Sequence, residues 1–215
     1  MRSPEQDNYQ TAFNLVRQRL KQADISERCR KSGAVYQLQE GIITIKFISR
    51  PYLIQWPGLD FASSAPEEEV PLRDKILILH YLSKASGIPP SGKLIAFAQL
   101  PGCEPYLPVF QKRTIDRLVR TFGKQPENLI AAAQTIGGSK AQYGDVGVVI
   151  PALPKVSVTF ILWRGDDEFP PSGNILFDRT VENYLDVEDI IVLSEIIVGE
   201  LCRHAMKTSR TEEGI

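Results

Sequence analysis

Residues 146–178 read VGVVIPALPKVSVTFILWRGDDEFPPSGNILFD, and this stretch decides the fold. Three apolar runs rich in β-branched and aromatic residues, VGVVIP, KVSVTFILW and NILFD, read as strands. The segment after them, 186–207, reads as the longest helix of the chain. Asp186 is placed as its N-cap, and the acids at 188 and 189 suit the helix dipole. Val187, Ile190, Ile191, Ile197, Val198 and Leu201 form its apolar stripe. Antiparallel strands with helices clustered elsewhere point to an α+β fold rather than a doubly wound one. The expected architecture is a mixed or largely antiparallel sheet, or sheets, with clustered helices in a single compact domain.

Working back toward the N-terminus, 5–23 place Phe13, Val16 and Leu20 on one helical face, with Ala12 beside them. Segments 34–39 and 42–48 flank Glu40 and Gly41, which predicts a β-hairpin, and 52–56 gives a third strand after Pro51. In PEEEVPLRDKILILHYLSKASG, acids and a proline precede an apolar body and a glycine stop. The reading is a buried helix over 71–86. Residues 92–100 fit strand or helix, and PGCEPYLP is expected to be irregular. Helices are predicted over 109–122 and 126–135, with GGSKAQYGD as the connector beyond. LRDKILILHYL and VEDIIVLSEII echo each other, aligning Asp74 with Asp189, which we take as convergent patterning.

Of the 215 residues, 43% are hydrophobic and 24% charged, the balance of a globular domain. A net charge of -1 without a basic stripe argues against nucleic acid. The lysines and arginines at 17–31 and 112–120 read as solvated helix faces. The apolar runs at 190–193 and 196–198 are broken by Ser194, Glu195 and Gly199, too short for a membrane span. The polar start MRSPEQDNYQ lacks a signal's apolar core. Three scattered cysteines, Cys29, Cys103 and Cys202, give no metal or cluster spacing and suit a reducing cytoplasm.

The densest chemistry is the loop after Trp163. Asp166, Asp167 and Glu168 stand together, and Phe169, Pro170 and Pro171 stiffen the chain behind them. Like charges held together call for something positive. Three answers stay open: a structural loop in which Arg164 and Arg179 pair with nearby acids, a divalent-cation site to which Asp178 adds a fourth carboxylate, and a partner surface. Asp145 reads as a turn acid. His80 reads as a core histidine with a satisfied hydrogen bond. Phe97, Tyr106 and Phe110 line either an apolar pocket or a core edge. No nucleophilic triad or zinc-helix spacing is present.

The blocks KILILHYL, FAQLPGCEPYLPVF, YGD, LPKVSVTFILWRGDDEFPPSGNILFD and YLDVED occur in the order typical of one family. On them, the stretch 70–206 resembles the family catalogued as domain of unknown function 3786. The resemblance implies proteins of anaerobic bacteria and archaea, no particular reaction, and longer relatives carrying a Cys-rich iron–sulfur segment that this sequence lacks. Cys103 stands where the family commonly has glycine. The implied partner is an iron–sulfur or corrinoid protein. The expected division is a helical segment over 1–32, the family-like α+β domain over 33–206 and a flexible tail over 207–215. The functional expectation is a cytoplasmic binding or accessory module of anaerobic metabolism. It would act through the 164–172 loop, with the 101–108 and 137–145 loops beside it. Trp163, Phe169, Tyr106 and Asp145 join the three acids as ligand or partner contacts. The alternatives are a divalent-metal hydrolase or phosphoryl-transfer enzyme using the Asp-Asp-Glu cluster, and a loop with no ligand.

Overall fold

The structure, a computed structural model, describes residues 4–63 and 69–212. Helix α1 (Pro4–Lys21) buries Phe13, Val16 and Leu20, the face its spacing predicts. Helix α2 (Ile25–Ser32) follows, with the Asp24 carboxylate accepting the Glu27 N–H at 3.1 Å and Gly33 closing the helix at φ 78°. Four strands then form an antiparallel sheet in chain order: β1 (Val35–Gln37), β2 (Ile42–Phe47), β3 (Arg50–Gln55) and β4 (Asp60–Ser63). The hairpin and third strand stand where the turn signals put them. The edge strand β4 carries too little apolar pattern in DFAS to announce itself, and its pairing with β3 defines it.

Helix α3 (Leu72–Lys84) lies within the predicted 71–86, while Glu67 and Glu68, expected to lead into it, lie outside the described residues. It is buried on several sides, with Leu77, Ile78, Leu79, Tyr81 and Leu82 all sealed, because α1 and α2 cover it on one side. Truncating such a leucine to alanine costs about 2–5 kcal/mol. The Tyr81 hydroxyl donates to the Ser32 carbonyl at 2.5 Å and accepts the Lys155 N–H at 3.1 Å. One buried group thereby ties three parts of the chain together.

The ambiguous stretch 92–100 is both things in turn: strand β5 (Leu94–Ala96), then a 3-10 turn over Phe97–Gln99. PGCEPYLP, expected to be irregular, is instead partly helical. A 3-10 turn at Glu104–Tyr106 opens α4 (Leu107–Phe110), which runs through a π-turn (Gln111–Ile115) into α5 (Asp116–Phe122). Pro105 and Pro108 sit at first-turn positions, where a missing N–H costs nothing. Helix α6 (Asn128–Thr135) ends at Gly137, with φ 78°. The expected connector then contains an edge strand, β6 (Ser139–Ala141), held by pairing with β7.

The three strands of the opening stretch are β7 (Val146–Leu153), β8 (Val156–Trp163) and β9 (Ser172–Asp178). With β5 and β6 they form a second sheet in the order β5-β9-β8-β7-β6. Every pairing is antiparallel, so the fold is α+β as the sequence implies. Helix α7 (Val187–Glu212) extends beyond the predicted 207, and 213–215 of the expected tail lie outside the described residues. The Asp186 carbonyl accepts the Ile190 N–H, and its carboxylate pairs with Lys84 at 2.5 Å. No helix among the described residues is long and apolar enough to cross a membrane.

One continuous core joins the two sheets. The β2–β3 turn docks on β7 through a hydrogen bond from the Ile48 N–H to the Ala152 carbonyl, 2.9 Å. Gly137 passes so close to this turn that a Cβ there would lie 2.9 Å from that of Ser49. Helix α7 packs against α3, α5 and α6, and along that seam, beside β3, the surface opens into a cleft.

Candidate functional site

The acidic loop is ordered, and largely by its own residues. The Asp166 carboxylate accepts the Glu168 N–H at 2.9 Å and the Phe169 N–H at 2.7 Å, while its own N–H donates to the Phe169 carbonyl at 2.9 Å. These two backbone donors, Phe169 first, hold the Asp166 carboxyl below its ordinary pKa. Asp145 accepts the Arg164 N–H at 2.8 Å, and the Arg164 guanidinium pairs with Glu127. Asp167 and Glu168 are carried outward on this scaffold, exposed. Trp163 is not buried as its neighbours in sequence suggest: it is 38% exposed, and Phe169 is 66% exposed. Tyr143, on the adjoining turn, is exposed as well.

Asp178 does not join this cluster. It ends β9 at the far side from the loop, six residues beyond Ser172 and so roughly 20 Å away at the usual strand rise. There it accepts from Ser91, Gly92 and Thr180 at 2.6 to 3.0 Å. Burial raises its pKa, but the hydrogen bonds from Thr180 and Ser91 outweigh that and hold the carboxyl down at about 2. Asp178 is thus a staple between β9 and the segment before β5. Tyr106 also lies apart from the loop, with its hydroxyl donating to Glu188 at the start of α7, 2.8 Å. Phe97 and Phe110 stack at 3.9 Å and are buried at the core edge, where both also line a pocket of about 410 Å³. His80 meets Asp189 across the α3–α7 contact at 2.8 Å, the satisfied histidine expected. That bond raises its pKa, with burial opposing.

A cavity of about 780 Å³ contains none of the candidate site residues proposed from the sequence. It lies between β3, the start of α3, α5 and the C-terminal part of α7. Four arginines line it, Arg50, Arg73, Arg117 and Arg203, with four acids, Glu69, Asp74, Glu195 and Glu200. Several of these charges answer each other. Arg203 reaches Glu200 at 2.6 Å, and Glu195 is met at 3.6 Å by Arg113. Asp74 differs from the other three acids in being buried. It is 9% exposed, its Oδ1 is buried without a hydrogen-bond partner among the described residues, and Arg73 approaches no closer than 3.6 Å. Burial pushes its carboxyl above the ordinary range, with the Arg73 charge opposing. A second pocket of about 140 Å³ shares Arg50, Tyr52, Asp74, Ile196 and Glu200 with the cleft and reaches Thr135 and Ile136.

Gly199 belongs to the same picture. A glycine inside a helix costs about 1 kcal/mol relative to alanine. A Cβ at this position would meet only the Arg117 guanidinium, at 3.6 and 4.0 Å, an ordinary contact distance. Packing does not demand the glycine. It keeps the α7 backbone bare beneath Arg117. The basic cluster at 112–120, expected to be a solvated face, therefore turns one member inward, because α5 lies against α7.

A family model described as domain of unknown function (DUF3786) matches residues 24–200. The chain belongs to that family. No curated protein and no solved structure matches it. The DUF3786 match takes in the acidic loop and the whole cleft except Arg203.

Sequence reasoning missed the cleft because its walls come from β3, α3, α5 and α7, with Arg50 and Arg203 lying 153 positions apart. Two signals pointed there. Asp74 interrupts a helix that is otherwise apolar on most sides, and Gly199 interrupts the stripe of α7. In the sequence each reads as a break in an apolar pattern and neither as a site.

Proposed function

We propose that this DUF3786 chain is a binding module whose ligand is a small polar molecule held in the cleft between α3, α5 and α7. The observation that carries this reading is the Asp74 carboxylate, which lines a polar cavity with one buried oxygen that has no hydrogen bond among the described residues and meets Arg73 only at 3.6 Å. A carboxylate left so costs stability, and a fold retains such a group where a guest completes its bonding. The test is a thermal-shift screen of small polar molecules against the full chain, Asp74→Asn, and Asp167→Asn/Glu168→Gln. Ligands that raise Tm in wild type and the loop variant, but not in Asp74→Asn, support the cleft. Ligands lost only in the loop variant overturn it.

A second reading places a protein partner at the tip of the β8–β9 hairpin. It is favoured by Phe169, 66% exposed on a loop whose shape Asp166 fixes. An ordered, exposed aromatic beside spare acids suits a partner presenting apolar and basic side chains. Calorimetry with Mg²⁺, Mn²⁺ and Ca²⁺ separates this from a cation site at the same acids: uptake abolished by Asp167→Asn assigns the loop to metal.

A further inference from the structure

Each acid that lines the cleft has a basic partner within 4 Å. Glu69 meets Lys75 at 3.7 Å, Asp74 meets Arg73 at 3.6 Å, Glu195 meets Arg113 at 3.6 Å and Glu200 meets Arg203 at 2.6 Å. Lys75 and Arg113 come to these pairs from outside the lining, so the acids do not use up its arginines. Arg50 also bears on Asp74 through its charge. Arg117 stands apart from all of these. It lines the cleft half-buried, and its guanidinium has no ion pair or hydrogen bond among the described residues. A charge partly withdrawn from water, with nothing in the fold to replace the lost hydration, is unfavourable until a counter-charge meets it.

The space beside that guanidinium is defined by Gly199. A Cβ built there would lie 3.6 Å from Nη1 and 4.0 Å from Nη2 of Arg117, and no other side chain among the described residues comes within 4 Å of that point. The absent side chain thus leaves an open seat against both terminal nitrogens, in the wall of the cleft. Paired N–H donors of a planar guanidinium match the two oxygens of a carboxylate or phosphate.

Resting on the cleft as the ligand site, we infer that Arg117 is its anion-recognition residue and that the ligand carries a small oxyanion group, seated over Gly199. Carboxylate and phosphate share this chemistry, and the experiment tells them apart.

The experiment is a nuclear magnetic resonance titration of the ¹⁵N-labelled full chain with acetate, inorganic phosphate and methylammonium. Acetate or phosphate is expected to shift the Arg117 Nε–H signal and the Gly199 amide, and methylammonium to leave both in place. Response to one anion alone assigns the group as carboxyl or phosphoryl. Arg117→Gln is expected to weaken anion binding about ten- to a hundredfold. Arg120→Gln, at an exposed arginine of the same helix outside the cleft, is expected to leave it nearly unchanged. Gly199→Ala places a methyl group on the seat at ordinary contact distance, so it is expected to fold at least as stably as wild type and to weaken the same binding. That variant decides the matter if Arg117→Gln fails to fold. Equal losses in Arg117→Gln and Arg120→Gln mark diffuse attraction and overturn the inference. Full binding in Gly199→Ala overturns the seat, and silence at Arg117 and Gly199 with both anions overturns the inference as a whole. If the screen above still finds a neutral or cationic ligand that Asp74→Asn loses, the cleft reading survives that failure; if it finds none, both fall.

Discussion

Replacing Asp74 by asparagine should make this protein more stable, and by an amount that grows with pH. A buried oxygen without a partner costs about 1–3 kcal/mol, and solvent reaching the cleft side of the carboxylate trims that toward the lower half. The Arg73 contact, long at 3.6 Å and with Arg73 itself 40% exposed, returns a few tenths of a kcal/mol to at most about 1. The balance is a penalty of about 1–2 kcal/mol for the ionised acid. The sign follows from the direction of the shift. Asp74 in the folded protein has a pKa above its ordinary 3.8, so the unfolded chain ionises first. Below 3.8 both states are protonated and the penalty vanishes. As pH rises through the folded pKa, ionisation inside the protein withdraws stability. Asn carries no such charge. Asp74→Asn should therefore match wild type near pH 3.5 and exceed it at pH 8 by about 1–2 kcal/mol, or about 2–8 °C in Tm for a chain of this size. Urea unfolding across that pH range reads the difference. A variant less stable than wild type at pH 8, or a gap that does not change with pH, would refute the reasoning by showing that Asp74 is satisfied within the fold.

Three other outcomes follow from the described contacts. Asp178→Ala should lose about 1 kcal/mol, a figure discounted for the exposure of the group. Because the folded pKa is depressed to about 2, the loss should be full above pH 3.8 and fade as pH falls toward 2; equal stability at pH 7 contradicts the staple. Asp189→Asn should destabilise most below pH 6.5, where His80 is charged and its raised pKa contributes fully, and less as pH rises beyond; urea midpoints at pH 5.5 and 9 check the trend. Asp166→Ala should speed hydrogen exchange at the amides of Glu168 and Phe169 while leaving the β8 and β9 amides slow; unchanged rates at those two amides contradict the turn.

The strands of 146–178 were legible because the apolar runs of β7 and β8 are buried on both faces and β9 buries alternate residues, Ile175 and Phe177, so no distant partner is needed to see them. The same holds for α3, whose leucines and isoleucines surround the helix. Edge strands β4 and β6 were not legible, since three or four residues with little apolar pattern become strand only when a neighbour supplies the ladder. The helical character of PGCEPYLP hid behind prolines that a first turn accepts. At the acidic loop, local chemistry was readable: Asp166 and the prolines do order it. What could not be read is that Asp178 points its bonds to Ser91 and Thr180 at the other end of the strand. The cleft depends on side chains from four elements meeting across a seam, and pairing of Arg113 with Glu195 while Arg117 stays open is a matter of helix phase in three dimensions. A sequence can show that Asp74 and Gly199 break their patterns, but not that they face one another's neighbourhood.

The most direct test of the cleft as the functional site is hydrogen exchange on the full chain with and without the tightest-binding small molecule from the screen. The account predicts protection at 69–75, 115–119 and 196–203, with the 164–171 loop unchanged. Protection confined to 164–171, with the three cleft segments exchanging as in the free protein, would contradict it.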